Sequence, residues 1–219
     1  ARVLPLGALT LGLQGERITE MSGLHDAGCI AFNQANVAIK DTLSLRRAME
    51  YAATLDYPVW LKAQDAYLAQ DGVAHDGEVA SRLGLAGIPV SAETVALHTL
   101  LILAQDTGVR LHITRLSSAA GVAVLAAAQA AGQAVTADVG IHHLHLSEMD
   151  IGFFDTNARF DPPLRSLRDR DGLSQAAAQG TLSICSNHTP VKPDDKILPF
   201  AEAKPGSTAR LGRDAGRCR

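Results

Sequence analysis

Charged side chains that could do chemistry stand at the ends of predicted buried strands. Residues 109–115, V-R-L-H-I-T-R, form an apolar strand that ends at Arg115, and V-T-A-D-V places Asp138 near the end of another. Because strand side chains alternate, we expect Arg115 to share the face of Leu111 and Ile113 and to point inward. Parallel α/β folds build their sites at the carboxyl ends of strands. A long cation there either binds an anion or substrate, or fills a site that holds no metal.

His112 and Asp138 are expected to have structural roles. His112 lies on the strand face opposite Arg115, so alternation predicts that it packs against the helical layer. Asp138 could be a catalytic acid, but we expect it to pair with a cation at a strand end, either Arg115 or Lys62.

Histidines supply weak metal-ligand candidates. His142, His143 and His145 stand in H-H-L-H, but no acidic residue lies in register with them, so a structural role is expected. His188 alone makes a poor zinc site. His75 is expected to be solvated in a loop.

The elements that must position these groups alternate strands with helices. The predicted strands are residues 3–10, 29–32, 57–61, 109–115, 134–139 and 181–185. The predicted helices cover about 16–25, 42–55, 78–85, 91–107, 118–131 and 168–179. Thr42 or Ser44, Ser91, and Ser117 or Ser118 are the expected helix starts. This alternation predicts an α/β fold with a parallel sheet and helical crossovers.

Composition narrows the classes of function. The 219 residues, 47% of them hydrophobic, suit one α/β domain, and a net charge of −3 does not favour nucleic acid or a membrane surface as a partner. No apolar run approaches the roughly 20 residues that cross a bilayer, and no signal-peptide pattern is recognisable. Cys29, Cys185 and Cys218 have no C-x-x-C spacing, which favours free thiols in a reducing cytoplasm.

The last 13 residues differ from the rest of the chain. Residues 207–219 contain four arginines and two glycines without apolar periodicity. We therefore expect a domain over 1–206 and a disordered or non-native arginine-rich tail over 207–219.

Two motifs resemble those of the dihydroorotase family, in the amidohydrolase superfamily. Residues 75–93 are similar to the family's G-E-x-S-x-x-L-G-x-x-x-x-P-x-x-A-E segment, and D-P-P-L-R at 161–165 resembles its N-P-P-L-R. The resemblance extends over about residues 3–206. It implies a (β/α)₈ TIM-type barrel with metal ligands at the carboxyl ends of the strands. The six predicted strands would be strands 3 to 8, so the barrel would be partial.

The resemblance also identifies the family's site positions, and their residue types have changed. The positions that hold metal ligands, the general base and a substrate contact in the family are occupied here by Gln34, Lys62, Arg115, Asn187 and Asp161. The family's H-x-H is absent from the first half of the chain. Zinc requires imidazole, carboxylate or thiolate donors, and an amide does not serve as a general base. The resemblance therefore implies that no catalytic residue is retained.

Three alternative functions follow from the resemblance. The leading one is a degenerate dihydroorotase homologue, without a cofactor, that is a structural subunit of aspartate carbamoyltransferase in a hetero-oligomer of de novo pyrimidine biosynthesis. The second is an active zinc dihydroorotase, or a hydantoinase or allantoinase, with ligands from missing amino-terminal strands and from His142, His143 or His188. The third is a sensor that binds an acidic pyrimidine-pathway metabolite in a cationic pocket.

Overall fold

Six parallel strands form the main sheet of the computed structural model, which describes residues 2–206. They are β1 (Leu6–Ala8), β2 (Ala31–Asn33), β3 (Val59–Lys62), β6 (Leu111–Thr114), β7 (Val135–Gly140) and β8 (Ser183–Cys185). Their order in the sheet is β1-β2-β3-β6-β7-β8, and every neighbouring pair is parallel. The predicted α/β class and all six predicted strands are confirmed.

Helices connect these strands. They are α1 (Met21–Asp26), α2 (Thr42–Thr54), α3 (Glu78–Leu83), α4 (Val90–Thr107), α5 (Ala119–Ala130) and α6 (Leu167–Ala178). A second, two-stranded sheet of β4 (Ala74–His75) and β5 (Gly87–Ile88) was not predicted, because two-residue strands show no alternation. None of these helices is long and apolar enough to span a membrane.

The predicted starts of α2 and α5 are confirmed, and those of α1 and α4 are wrong. α2 begins at Thr42, one of the two predicted residues, and Asp41 caps it by accepting hydrogen bonds from two backbone N–H groups. Pro89 precedes α4, which places Ser91 inside the helix, and α1 begins only at Met21. Ser118 does cap α5, because its hydroxyl accepts a hydrogen bond from the Gly121 N–H at 2.9 Å.

The two faces of the sheet differ in character. Leu61, Leu111 and Ile113 are buried in the core that the sheet shares with α2, α4, α5 and α6. The opposite face carries Trp60 and His112, which are adjacent in register, and would be the inner face of a barrel. The prediction that His112 packs against the helical layer is therefore wrong, because the neighbouring leucine and isoleucine occupy that face. Residues 207–219 lie outside the described residues, so the predicted tail and Cys218 stay predictions.

Candidate functional site

A buried ion pair lies at the carboxyl end of β3. The ammonium of Lys62 donates a hydrogen bond to the carboxylate of Asp161, in the segment between β7 and α6. The two side chains are only 8% and 23% exposed. Burial lowers the pKa of Lys62, and the attraction of Asp161 opposes that shift. The pair joins two of the site positions that the sequence identified.

Arg115 follows β6 in a left-handed backbone conformation, with φ of 57°. Strand alternation therefore ends before it, and the prediction that Arg115 shares the face of Leu111 and Ile113 is wrong. Its guanidinium donates hydrogen bonds to the Asn36 side chain and, at 3.4 Å, to the Asp161 carbonyl oxygen. It has no carboxylate partner within residues 2–206.

Asp138 lies on β7 and is held by three donors. His112 Nε2 lies 3.0 Å from its carboxylate, the Arg115 backbone N–H 2.8 Å, and the Cys185 Sγ 3.1 Å. Burial disfavours the ionised carboxyl, but these hydrogen bonds outweigh it and hold the pKa of Asp138 below its ordinary value. The predicted ion pair with the side chain of Arg115 or Lys62 is therefore wrong, since His112 is the side-chain partner.

Cys185 is not a nucleophile in this arrangement. Burial and the neighbouring Asp138 raise the pKa of its thiol to about 12. The thiol is therefore protonated at neutral pH, and only the thiolate attacks or binds a metal.

His142 and His143 are neutral at pH 7. Burial lowers the pKa of His142 to about 3 and that of His143 to about 4. The ring of His142 stacks on Phe160 with centroids 4.1 Å apart, and His143 Nε2 lies 3.2 Å from the Pro163 carbonyl oxygen. His142 Nε2 and His143 Nδ1 are both buried without a hydrogen-bond partner among the described residues.

The structure does not gather the histidine candidates into a metal centre. His188 is exposed after β8, and no cluster of three or more His, Cys, Asp or Glu side chains suited to a metal occurs in residues 2–206. Gln34 is buried with its amide 2.8 Å from the Thr10 hydroxyl. Asn187 follows β8 with φ of 42°.

Sequence reasoning missed a buried polar network centred on Arg165. Arg165 is only 3% exposed. Its guanidinium donates hydrogen bonds to the Ile88 carbonyl oxygen at 2.7 Å and to the Ser117 hydroxyl at 3.2 Å. Glu93 accepts from the Ser117 N–H at 2.8 Å and from its hydroxyl at 2.6 Å. His75 lies 3.2 Å from Arg165 and is buried, so the prediction of a solvated His75 is wrong. The signal was present in D-P-P-L-R, whose last residue is Arg165.

A cavity of about 280 Å³ lies beside the ion pair and is lined in part by residues of α2 and α4. Its polar lining includes Gln34, Asn36 and Lys62. Its apolar lining includes Leu45 and Leu100. The cavity therefore includes one of the two cations, Lys62, and Asn36, which accepts a hydrogen bond from the other cation, Arg115.

Comparison with known proteins identifies the family. Residues 1–120, more than half of the chain, match the family described as Dihydro-orotase-like. The chain belongs to the dihydroorotase-like family. This dihydroorotase-like chain is 45% identical over 207 residues to the "Dihydroorotase-like protein" of Pseudomonas putida and to that of Pseudomonas aeruginosa. It is 39% identical over 201 residues to the "Dihydroorotase" of Syntrophotalea carbinolica.

The dihydroorotase-like chain spans about half the length of the curated relatives it matches. The alignments cover 94%, 94% and 91% of this chain but 49%, 49% and 47% of those three relatives.

Solved structures confirm the predicted barrel type. The L-hydantoinase (dihydropyrimidinase) from Arthrobacter aurescens superposes with a TM-score of 0.77 at 22% identity, covering 93% of this chain and 47% of that one. Dihydroorotase from Saccharomyces cerevisiae, in complex with 5-fluoroorotic acid, gives 0.70 at 15% identity, covering 93% and 57%. The dihydroorotase-like chain therefore has the fold of a partial TIM barrel.

Proposed function

We propose that this chain is a catalytically degenerate dihydroorotase homologue and a structural subunit of aspartate carbamoyltransferase in cytoplasmic pyrimidine biosynthesis. One observation carries the proposal of degeneracy. The Lys62–Asp161 ion pair, with Arg115 beside it, lies at the strand ends where the family resemblance leads us to expect metal ligands.

The donor set near the strand ends does not fit zinc. The ammonium of Lys62 and the guanidinium of Arg115 offer no lone pair at neutral pH, and like charges would repel a metal ion. The thiol of Cys185 is kept protonated by burial and by Asp138. No reaction step through a metal follows from these residues.

The residues near the strand ends are also poorly suited to proton transfer. Asn187 has an amide where the family resemblance leads us to expect a carboxylate, and an amide does not accept a proton in the working range. Asp138 is engaged by His112 Nε2, Cys185 Sγ and a backbone N–H, and so is held as a structural acceptor. These contacts support a role without turnover.

A subunit that catalyses no reaction contributes to an assembly by binding its partner through its surface. The segment between β7 and α6 exposes Met149, Phe153 and Phe154, and Phe153 is 91% exposed. Exposed aromatic and methionine side chains are typical of protein interfaces. This apolar segment supports the proposed docking to the transcarbamoylase.

Catalysis is tested by zinc content and ring-opening activity. The 219-residue chain is loaded with zinc, desalted, and assayed for metal by mass spectrometry and for hydrolysis of dihydroorotate, hydantoin and allantoin. We expect neither stoichiometric zinc nor turnover. Two zinc ions per chain with turnover would establish the active-enzyme alternative and overturn the proposal.

Docking is tested separately by light scattering on mixtures with aspartate carbamoyltransferase catalytic chain. We expect a stable hetero-oligomer that Phe153→Ser weakens. Ile102→Ser, at an exposed apolar residue of α4, is the matched control and should leave the complex unchanged. Absence of any complex at micromolar concentration would reject the structural-subunit role and leave the degenerate site unaffected.

A further inference from the structure

The charges at the strand ends are not balanced. Lys62 is neutralised by Asp161, but Arg115 has no carboxylate partner in the part of the chain that the structure describes. Its positive charge is close enough to contribute to the lowered pKa values of Lys62 and His142, after burial. A half-buried guanidinium without a counter-charge is a place where an anion gains binding energy.

Three N–H groups of this guanidinium have no hydrogen-bond partner among the residues that the structure describes. Arg115 has five N–H groups and uses two of them, one to Asn36 and one to the Asp161 carbonyl.

The adjoining cavity has room for the rest of a ligand. Its volume of about 280 Å³ is close to the lower end of ordinary small-molecule sites, roughly 300 Å³. Asn36 both accepts from Arg115 and lines the cavity, so the two features are contiguous. Leu45, Leu61 and Leu100 provide an apolar wall.

We propose that Arg115, Asn36 and this cavity bind a small organic monocarboxylate, with the carboxylate group on Arg115 and the apolar part in the cavity. A guanidinium matches the planar carboxylate through parallel N–H···O hydrogen bonds. Inorganic phosphate has no apolar part that could occupy the cavity, so it lacks half of the contacts that the site offers. The site is independent of the proposed docking to aspartate carbamoyltransferase.

Calorimetric titration of the 219-residue chain with hexanoate, acetate and inorganic phosphate tests the proposal. We expect saturable binding of hexanoate, at least tenfold weaker binding of acetate, and no binding of phosphate. The chain's one tryptophan, Trp60, lies on β3 two residues from Lys62 and provides a fluorescence readout of the same titrations. Absence of saturable hexanoate binding up to about 10 mM would overturn the proposal.

Variants separate the two halves of the site. Arg115→Gln should weaken hexanoate binding at least tenfold, and Arg115→Lys should recover part of it, because charge returns without the planar fork. Arg110→Gln is the matched control, since Arg110 pairs with Asp56 and is exposed. Ala96→Leu fills the cavity and should abolish the preference for hexanoate over acetate. Unchanged hexanoate affinity in a folded Arg115→Gln variant would refute the assignment.

Discussion

Two arginines close to each other in the fold are held in opposite ways. Arg165 is buried, donates to a carbonyl and a hydroxyl, and has the carboxylates of Glu93 and Asp169 near enough to oppose the lowering of its pKa by burial. Arg115 is only half-buried and has no carboxylate partner among the described residues. We call the first group the Arg165 network and the second the Arg115 site.

The difference separates a structural role from a binding role. A buried charge with its partners in place is costly to disturb, because removing one partner leaves the others desolvated and unpaired. Removal of a cation with unpartnered donors should change the free energy of unfolding little, whereas its presence should favour the binding of an anion. The Arg165 network should therefore control stability, and the Arg115 site should control ligand affinity.

The largest effect is expected for Arg165→Met. Removal of the guanidinium leaves the Ile88 carbonyl and the Glu93 carboxylate without their buried cation, so unfolding free energy should fall by roughly 3–5 kcal/mol. Urea denaturation measures the loss. Arg110→Met, at an exposed ion pair with Asp56, should cost less than about 1 kcal/mol. Equal losses in the two variants would contradict the comparison.

Acid should destabilise the protein through the histidines next to the Arg115 site. Unfolded histidine titrates near pH 6.5, whereas the folded pKa values are about 3 for His142 and about 4 for His143. Between pH 6.5 and 4 the unfolded state binds more protons, so stability is complete above pH 6.5 and falls as pH falls. At pH 5 each histidine should cost about 2 kcal/mol.

Urea denaturation at pH 7.5, 6 and 5 checks this expectation. His142→Gln should reduce the slope of unfolding free energy against pH by about one proton, or about 1.4 kcal/mol per pH unit. His98→Gln, at an exposed position on α4, is the control and should leave the slope unchanged. A variant slope equal to that of the parent chain would show that His142 titrates normally.

The Lys62–Asp161 pair should affect stability less than the Arg165 network and more than the Arg115 site. The Lys62 side chain is buried, but the Asp161 side chain is partly exposed to solvent. Lys62→Met should cost about 2–3 kcal/mol, since it leaves the Asp161 carboxylate unpaired. The double variant Lys62→Met with Asp161→Asn should recover most of that loss. A double-mutant cycle in urea measures the coupling, and additive losses would mean that the pair contributes no coupling energy.

Periodicity predicted the main elements because it reflects burial. Alternation around Leu111 and Ile113 located β6, and the resemblance around residues 161–165 led to the correct barrel type. The face of His112 was assigned wrongly because alternation separates two faces but does not say which face carries the helices.

The partners within the site could not be predicted because they come from distant segments. Lys62 and Asp161 are 99 residues apart, and Arg165 and His75 are 90 apart. The left-handed conformation of Arg115 gave no signal either, since it is a non-glycine residue at the end of a regular strand.

The smallest stability effect is expected for Arg115→Gln. Its guanidinium donates only to an exposed asparagine and, weakly at 3.4 Å, to a carbonyl, so unfolding free energy should change by less than about 1 kcal/mol. The same variant should lose hexanoate affinity, as measured by calorimetry on protein of verified stability. Arg165→Met should show the reverse, a large loss of unfolding free energy and little change in hexanoate affinity. The affinity is measured under conditions in which this variant is folded. Because each arginine is then measured for both properties, a large stability loss in Arg115→Gln would remove the distinction between a packed cation and a binding cation.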